Sequence, residues 1–305
     1  MSPGLVERFK GGDRRALARA LSLVEAGHPE GEALLKALKS ERRAKVVGLT
    51  GSPGAGKSSL ADRLIAEIRR RGETVAVLAT DPTSPFTGGA VLGDRIRMMR
   101  HHQDPGVYVR SMASRGVLGG LARASGAALS LLEAFGFDWV ILETVGVGQS
   151  EVDVARLADT TVLVLTPAAG DAVQAFKAGV MEIADVIAVN KFDLPGGERL
   201  VEEIKGVLEL SPTPFPPPIV PTVAATGEGV PELLEAIEDH RRYLLESGGL
   251  EKKRLERARF EVQAEIQAAS QALAEGAGEL LAAVARGDKT PREAARELIR
   301  DSQRR

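Results

Sequence analysis

Residues 46–59, VVGLTGSPGAGKSS, restrict the fold more than any other part of the chain. A buried-type apolar run breaks into glycines, then into a lysine and two serines, which reads as a strand, a phosphate-binding loop and a helix start. The pattern G-x-x-x-x-G-K-[ST] is complete, from Gly51 through Ser52, Pro53, Gly54, Ala55 and Gly56 to Lys57 and Ser58, with Ser59 following. Glycine at 51, 54 and 56 lets the backbone bend with its N–H groups inward, and the next helix adds the positive end of its dipole. Lys57 is then placed for the β- and γ-phosphates and Ser58 for Mg²⁺. An ordinary Gly-rich turn is the bland alternative, against which stand the apolar strand before the loop and the helical pattern after it.

From Lys45 to about Gly229, continuous Val/Ile/Leu runs alternate with helical segments: VVGLT, TVAVLAT, the short VYV at 107–109, WVILET, TVLVLT, DVIAVN and PPIVPT. Such alternation predicts an α/β fold, a doubly wound and mostly parallel sheet covered on both faces. With 305 residues, 44 % of them hydrophobic, the chain can bury a substantial core. Residues 1–43 read as a helical preface, with Leu17, Leu21 and Val24 on one face, a break at His28-Pro29, and Leu34, Leu35 and Leu38 on a second. The nucleotide domain is assigned to 44–247, with the Pro-rich SPTPFPPPIVP at 211–221 as an extended connection into its last strand. Residues 248–305 turn charged and Ala-rich, and Val262, Ile266, Ala269, Leu273, Gly276 and Leu280 recur at coiled-coil spacing. That seam either pairs with another helix or packs on its own nucleotide domain.

Forty basic and 42 acidic residues leave a net charge of −2, which gives no reason to expect a nucleic-acid or anionic-membrane surface. The absence of cysteine removes disulfides and thiolate metal sites. Without a long apolar run, the cytosol is the expected compartment.

Three further stations carry chemistry. Asp81 ends the second strand, where the carboxyl ends of parallel strands share one crevice; it is a partner for Mg²⁺ or its water, or else a turn residue before Pro82. The Gly-rich loop after it holds Asp94, Arg95 and Arg97, charges that a γ-phosphate can order or that are merely solvated. WVILETVGVGQ ends a strand in Glu143, placed for the Mg²⁺ shell or a water, with the Gly146 N–H as a γ-phosphate sensor. DVIAVNKFD supplies N-K-x-D as Asn190, Lys191 and Asp193. A carboxylate at Asp193 accepts the N1–H and N2–H of guanine together and repels the N1 acceptor of adenine, so it selects GTP over ATP.

In this order GSPGAGKSS, DPTSPFTGGAVLGDRIRM, ETVGVGQSE, GDAVQAFKAGVMEIADV and NKFD resemble the methylmalonyl-CoA mutase-associated GTPase chaperones, the MeaB/ArgK type, also labelled LAO/AO transport ATPases. The resemblance spans nearly the whole chain. It implies a GTP-hydrolysing switch with Mg²⁺, dimeric through its C-terminal helices, that protects and reloads an adenosylcobalamin-dependent acyl-CoA mutase. It also implies that residues 170–182 form a third switch, with Asp171, Gln174 and Lys177 as polar members, although Ala172 and Val173 stand where acidic and Leu residues are usual. Val223-Ala224-Ala225 replaces the usual Ser-Ala at the base-binding loop, leaving the Ala224 N–H to meet guanine O6. Asp94 is the first candidate for placing the attacking water and Gln149 the second, each with a plain capping or surface role as its alternative. A transport-linked kinase is the rival that N-K-x-D opposes; a metallochaperone would need a metal-gathering patch, and His28, His101, His102 and His240 do not form one by spacing.

Overall fold

The computed structural model describes residues 4–38, 44–81, 99–101, 103–113, 120–144, 150–167, 179–210 and 213–302. Seven strands, β1 (Lys45–Thr50), β2 (Val75–Asp81), β3 (Val107–Ala113), β4 (Trp139–Glu143), β5 (Thr160–Leu165), β6 (Val186–Asn190) and β7 (Ile219–Thr222), fall on the seven apolar runs of the sequence. They form one sheet in the order β3-β2-β4-β1-β5-β6-β7. Every ladder is parallel. The carboxyl ends of β1, β2, β4, β6 and β7 therefore open on one edge, and β1 sits centrally between β4 and β5.

Side chains alternate between the two faces. Val47, Leu49, Val162 and Val164 meet α4 (Lys57–Arg70) and α8 (Val230–Glu246) on one face. On the other, Val46, Leu78, Val140 and Leu142 pack against α1 (Leu5–Lys10), α2 (Arg14–Glu25), α3 (Pro29–Ala37), α5 (Gly120–Phe135) and α6 (Ser150–Leu157). Leu163, Leu165, Ile187 and Val189 extend that face beneath α7 (Gly197–Glu209). Leu17, Leu21 and Leu34 of the N-terminal helices are fully buried in this layer. His28 does more than break the helix: its Nδ1 accepts the Glu30 N–H at 3.1 Å and caps α3, with Pro29 in the first turn.

The C-terminal region consists of α9 (Gly249–Glu275), α10 (Gly278–Ala285) and α11 (Pro291–Ser302). The coiled-coil spacing read across 262–280 does not continue on one helix, because α9 ends at Glu275, with Gly276 as its C-cap, and Leu280 lies on α10. Two glycines around Ala277 remove helix propensity where the chain turns. Arg257, Phe260 and Ala264, on one face of α9, are buried, with Phe260 and Ala264 in the apolar layer beneath α5. Val262, Ile266 and Leu273 are exposed, Val262 and Ile266 at the rim of a groove lined also by Leu35, Leu38 and Leu131. In the single chain the seam thus does not pack on the nucleotide domain. No helix among the described residues is long and apolar enough to cross a membrane.

Candidate functional site

The loop between β1 and α4 takes the shape its glycines permit. Gly51, Gly54 and Gly56 all have positive φ. A Cβ on Gly51 would stand 2.2 Å from the Val164 carbonyl oxygen, and one on Gly56 would stand 2.3 Å from Asn190 Nδ2. Glycine at both is thus required by space as well as by dihedral angle. The Lys57 ammonium, almost fully buried, donates to the Gly51 carbonyl at 2.6 Å and to the Ser52 carbonyl at 3.1 Å. The cation is thereby held across the mouth of its own loop.

Glu143 ends β4, in register with Leu49 of β1 and Ala79 of β2. It is 2 % exposed, and its Oε1 accepts the Ser58 hydroxyl at 2.5 Å. A carboxylate and a hydroxyl are hard oxygen donors, and their convergence beside the phosphate loop fits the ligand chemistry of Mg²⁺. Next to them, burial pushes the Glu151 carboxyl of α6 up, and Lys57 opposes the shift.

β6 delivers the third part. Asn190 is buried; its Nδ2 donates to the Ala55 carbonyl at 2.8 Å and its Oδ1 accepts the Ala224 N–H at 3.0 Å and the Thr222 hydroxyl at 3.4 Å. Lys191, at φ 58°, is the one non-glycine in the left-handed region among the described residues, and its Nζ donates to the Gly54 carbonyl at 2.8 Å. Asn190 and Lys191 therefore tie the phosphate loop to the loop after β7, and Asp193 lies exposed just beyond. The Ala224 N–H expected to meet guanine O6 is engaged by Asn190, so a base oxygen must share or displace that bond. Val223 is buried and Ala225 exposed.

The structure thus brings together the phosphate loop, Glu143, Asn190 and the Val223-Ala224-Ala225 loop. Asp81 closes β2 on the same edge, but its side chain lies outside the described residues, as do Asp94, Arg95, Arg97, Gly146, Gln149, Asp171, Gln174 and Lys177. Two neighbours on α4 were not read from the sequence. Arg63 donates through Nε to the Ala224 carbonyl at 2.9 Å and through Nη2 to the Ala225 carbonyl. Asp62 accepts from Arg100 Nε at 2.6 Å and lies 2.9 Å from His101 Nε2. His101 thus pairs with a carboxylate, and no group of three or more metal-ligating side chains occurs among the described residues. Periodicity marks Asp62 and Arg63 only as polar helix positions; their partners are remote in sequence.

A family model described as methylmalonyl Co-A mutase-associated GTPase MeaB matches residues 17–278. A protein named as a GTPase in Pyrococcus horikoshii is 51 % identical over 265 residues, covering 85 % of this chain and 84 % of the relative. The mitochondrial methylmalonic aciduria type A homolog of Caenorhabditis elegans is 39 % identical over 277 residues, covering 83 % and 69 %. The crystal structure of a LAO/AO transport system kinase superposes with a TM-score of 0.71 at 28 % identity and covers 99 % of both chains. The fold, the phosphate loop in its crevice and these likenesses agree: the chain belongs to the MeaB family and is a P-loop GTPase.

Proposed function

We propose that this GTPase is a Mg²⁺-dependent switch that guards and gates cofactor loading of an adenosylcobalamin-dependent acyl-CoA mutase. The observation that carries the nucleotide part is the convergence of Lys57, the Ser58–Glu143 pair and Asn190 in one crevice. The family description and the name of the nematode relative support the mutase. In this reading the loop's N–H groups and Lys57 cradle the β/γ-phosphates, and Asp193 reads the base. Ser58 and Glu143, with Asp81 and Asp94, would hold Mg²⁺, which when bound neutralises phosphate charge. Water attacks in line, placed by Asp94 or Gln149, while Gly146 senses the γ-phosphate. Lys57, already desolvated, stabilises the charge that develops on the leaving oxygens.

A switch must keep its GTP state until a partner reads it, and the partner accelerates hydrolysis only by binding the transition state more tightly than the GTP-bound ground state. Single-turnover GTP hydrolysis should therefore rise at least about tenfold, the gain from about 1.4 kcal/mol of extra transition-state binding, with the same organism's adenosylcobalamin mutase, and Lys177→Ala should remove most of the gain. Equal rates with and without mutase, and no co-elution in any nucleotide state, would remove the mutase as target while leaving the GTPase intact.

The exposed Val262, Ile266 and Leu273 further support a two-fold homodimer through the C-terminal helices. A cut at Ser247 would also strip Arg257 and Phe260 from the core, so point substitution is the cleaner test. Lysine at all three exposed positions should give a folded monomer by light scattering. An unchanged mass, or a monomeric parent, contradicts the dimer.

A further inference from the structure

Arg63 occupies an unusual place: one guanidinium from α4 holds two successive carbonyls, those of Ala224 and Ala225, in the loop after β7. The N–H groups of that loop are nearly all committed. Val223 donates to the Glu228 carbonyl at 2.9 Å, and Thr226 and Gly227 both donate to the Val223 carbonyl, at 3.1 and 2.8 Å. The Ala224 N–H is donated to Asn190. The Ala225 N–H, on the segment that Arg63 holds, has no hydrogen-bond partner among the described residues.

A trans peptide sets its N–H opposite its C=O, and no peptide bond among the described residues is cis. Clamping the Ala224 carbonyl onto Arg63 therefore turns the Ala225 N–H away from α4 and fixes it there. A charged donor makes this a stronger tie than a neutral one, and a planar fork holding two acceptors resists rotation of either peptide. Within the loop the Thr226 hydroxyl donates to the Val223 carbonyl at 3.2 Å and accepts the Glu228 N–H at 3.4 Å, and Arg63 adds a brace at Ala224 and Ala225 from the helix that also carries Lys57 and Ser58.

We propose that Arg63 is a positioning residue for base selection: it presets the Ala225 N–H as a donor to the 6-oxo group of a bound purine nucleotide. The inference rests on the reading of this crevice as a guanine-nucleotide site. Recognition of the 6-oxo group is then built partly into α4, and a 6-amino purine meets a fixed N–H where it also presents a donor.

The test is competition against a fluorescent GDP analogue, giving dissociation constants of GDP, IDP, XDP and ADP for the wild type, Arg63→Ala and Arg63→Lys, with Asp193→Asn beside them. Arg63→Ala should weaken GDP and IDP about tenfold each and leave ADP where it is, because only the 6-oxo purines use the fixed N–H. Arg63→Lys, a single point donor, should fall between. In steady-state GTP hydrolysis KM should rise by the same factor while kcat moves less than about twofold, a split that general loosening of the fold would not give. Asp193→Asn should instead shift preference toward XDP, since it reads the other edge of the base. A GDP/ADP ratio unchanged in Arg63→Ala overturns the role of Arg63 and leaves the site reading standing. A wild type with no preference for GDP over ADP overturns the site reading itself. If Arg63→Ala loses cooperative unfolding, Arg63→Lys is held to the same criterion.

Discussion

Lys57→Ala is expected to cut single-turnover GTP hydrolysis by about 10²–10³-fold, the usual cost of removing one preorganised group that stabilises transition-state charge. The Lys57 ammonium is buried and rests on the Gly51 and Ser52 carbonyls, so its desolvation has already been incurred when nucleotide arrives. Moving from two carbonyl dipoles to phosphate oxygens exchanges weak partners for charged ones. Nucleotide binding should weaken less than hydrolysis, because the backbone cradle set by Gly51 and Gly56 remains. Phosphate release from the purified variant at the wild-type rate would refute the role given to this lysine.

The largest effect on stability should come from a pair far from the chemistry. Arg257 Nη2 of α9 lies 2.6 Å from Glu133 Oε2 of α5, and both side chains are almost entirely buried. Burial alone lowers the Arg257 guanidinium, and the Glu133 carboxylate, with Glu261 aiding it, more than offsets this, so Arg257 titrates above its ordinary value. Glu133→Ala leaves the buried guanidinium with only the Glu261 carboxylate, 3.1 Å from its Nε, and should lose about 3 kcal/mol in urea denaturation. Arg257 Nη1 and Glu133 Oε1 have no hydrogen-bond partner among the described residues, so the pair does not recover its full desolvation cost. Arg257→Met combined with Glu133→Leu should therefore come within about 1 kcal/mol of the wild type. A double variant as unstable as Glu133→Ala would show that charge pairing, and not mere filling, holds α9 in place.

All seven strands were legible because a parallel strand covered on both faces is a continuous apolar run, which needs no knowledge of its neighbours to recognise. The phosphate loop was legible for a similar reason: Gly51 through Ser58 are consecutive and the positive φ angles that favour glycine are local, although the close approaches at Gly51 and Gly56 come from Val164 and Asn190, far along the chain. N-K-x-D likewise placed Asn190 and Lys191 at a strand end, although what they grip, Gly54 and Ala55 on one side and Ala224 on the other, comes from two other segments.

Only the tertiary structure decided the rest. Arg63 and Ala224 are 161 residues apart, and Arg257 and Glu133 are 124 apart; no periodicity joins such pairs, since each residue alone is an unexceptional charge on a helix. The same holds for α9. It carries apolar residues on two faces, Phe260 and Ala264 on one and Val262 and Ile266 on the other, so heptad spacing could find the helix without saying which face the chain would cover. The position of α5 settles it, burying the first face beside Arg257 and leaving the second in solvent, because a helix can press only one side against a given layer.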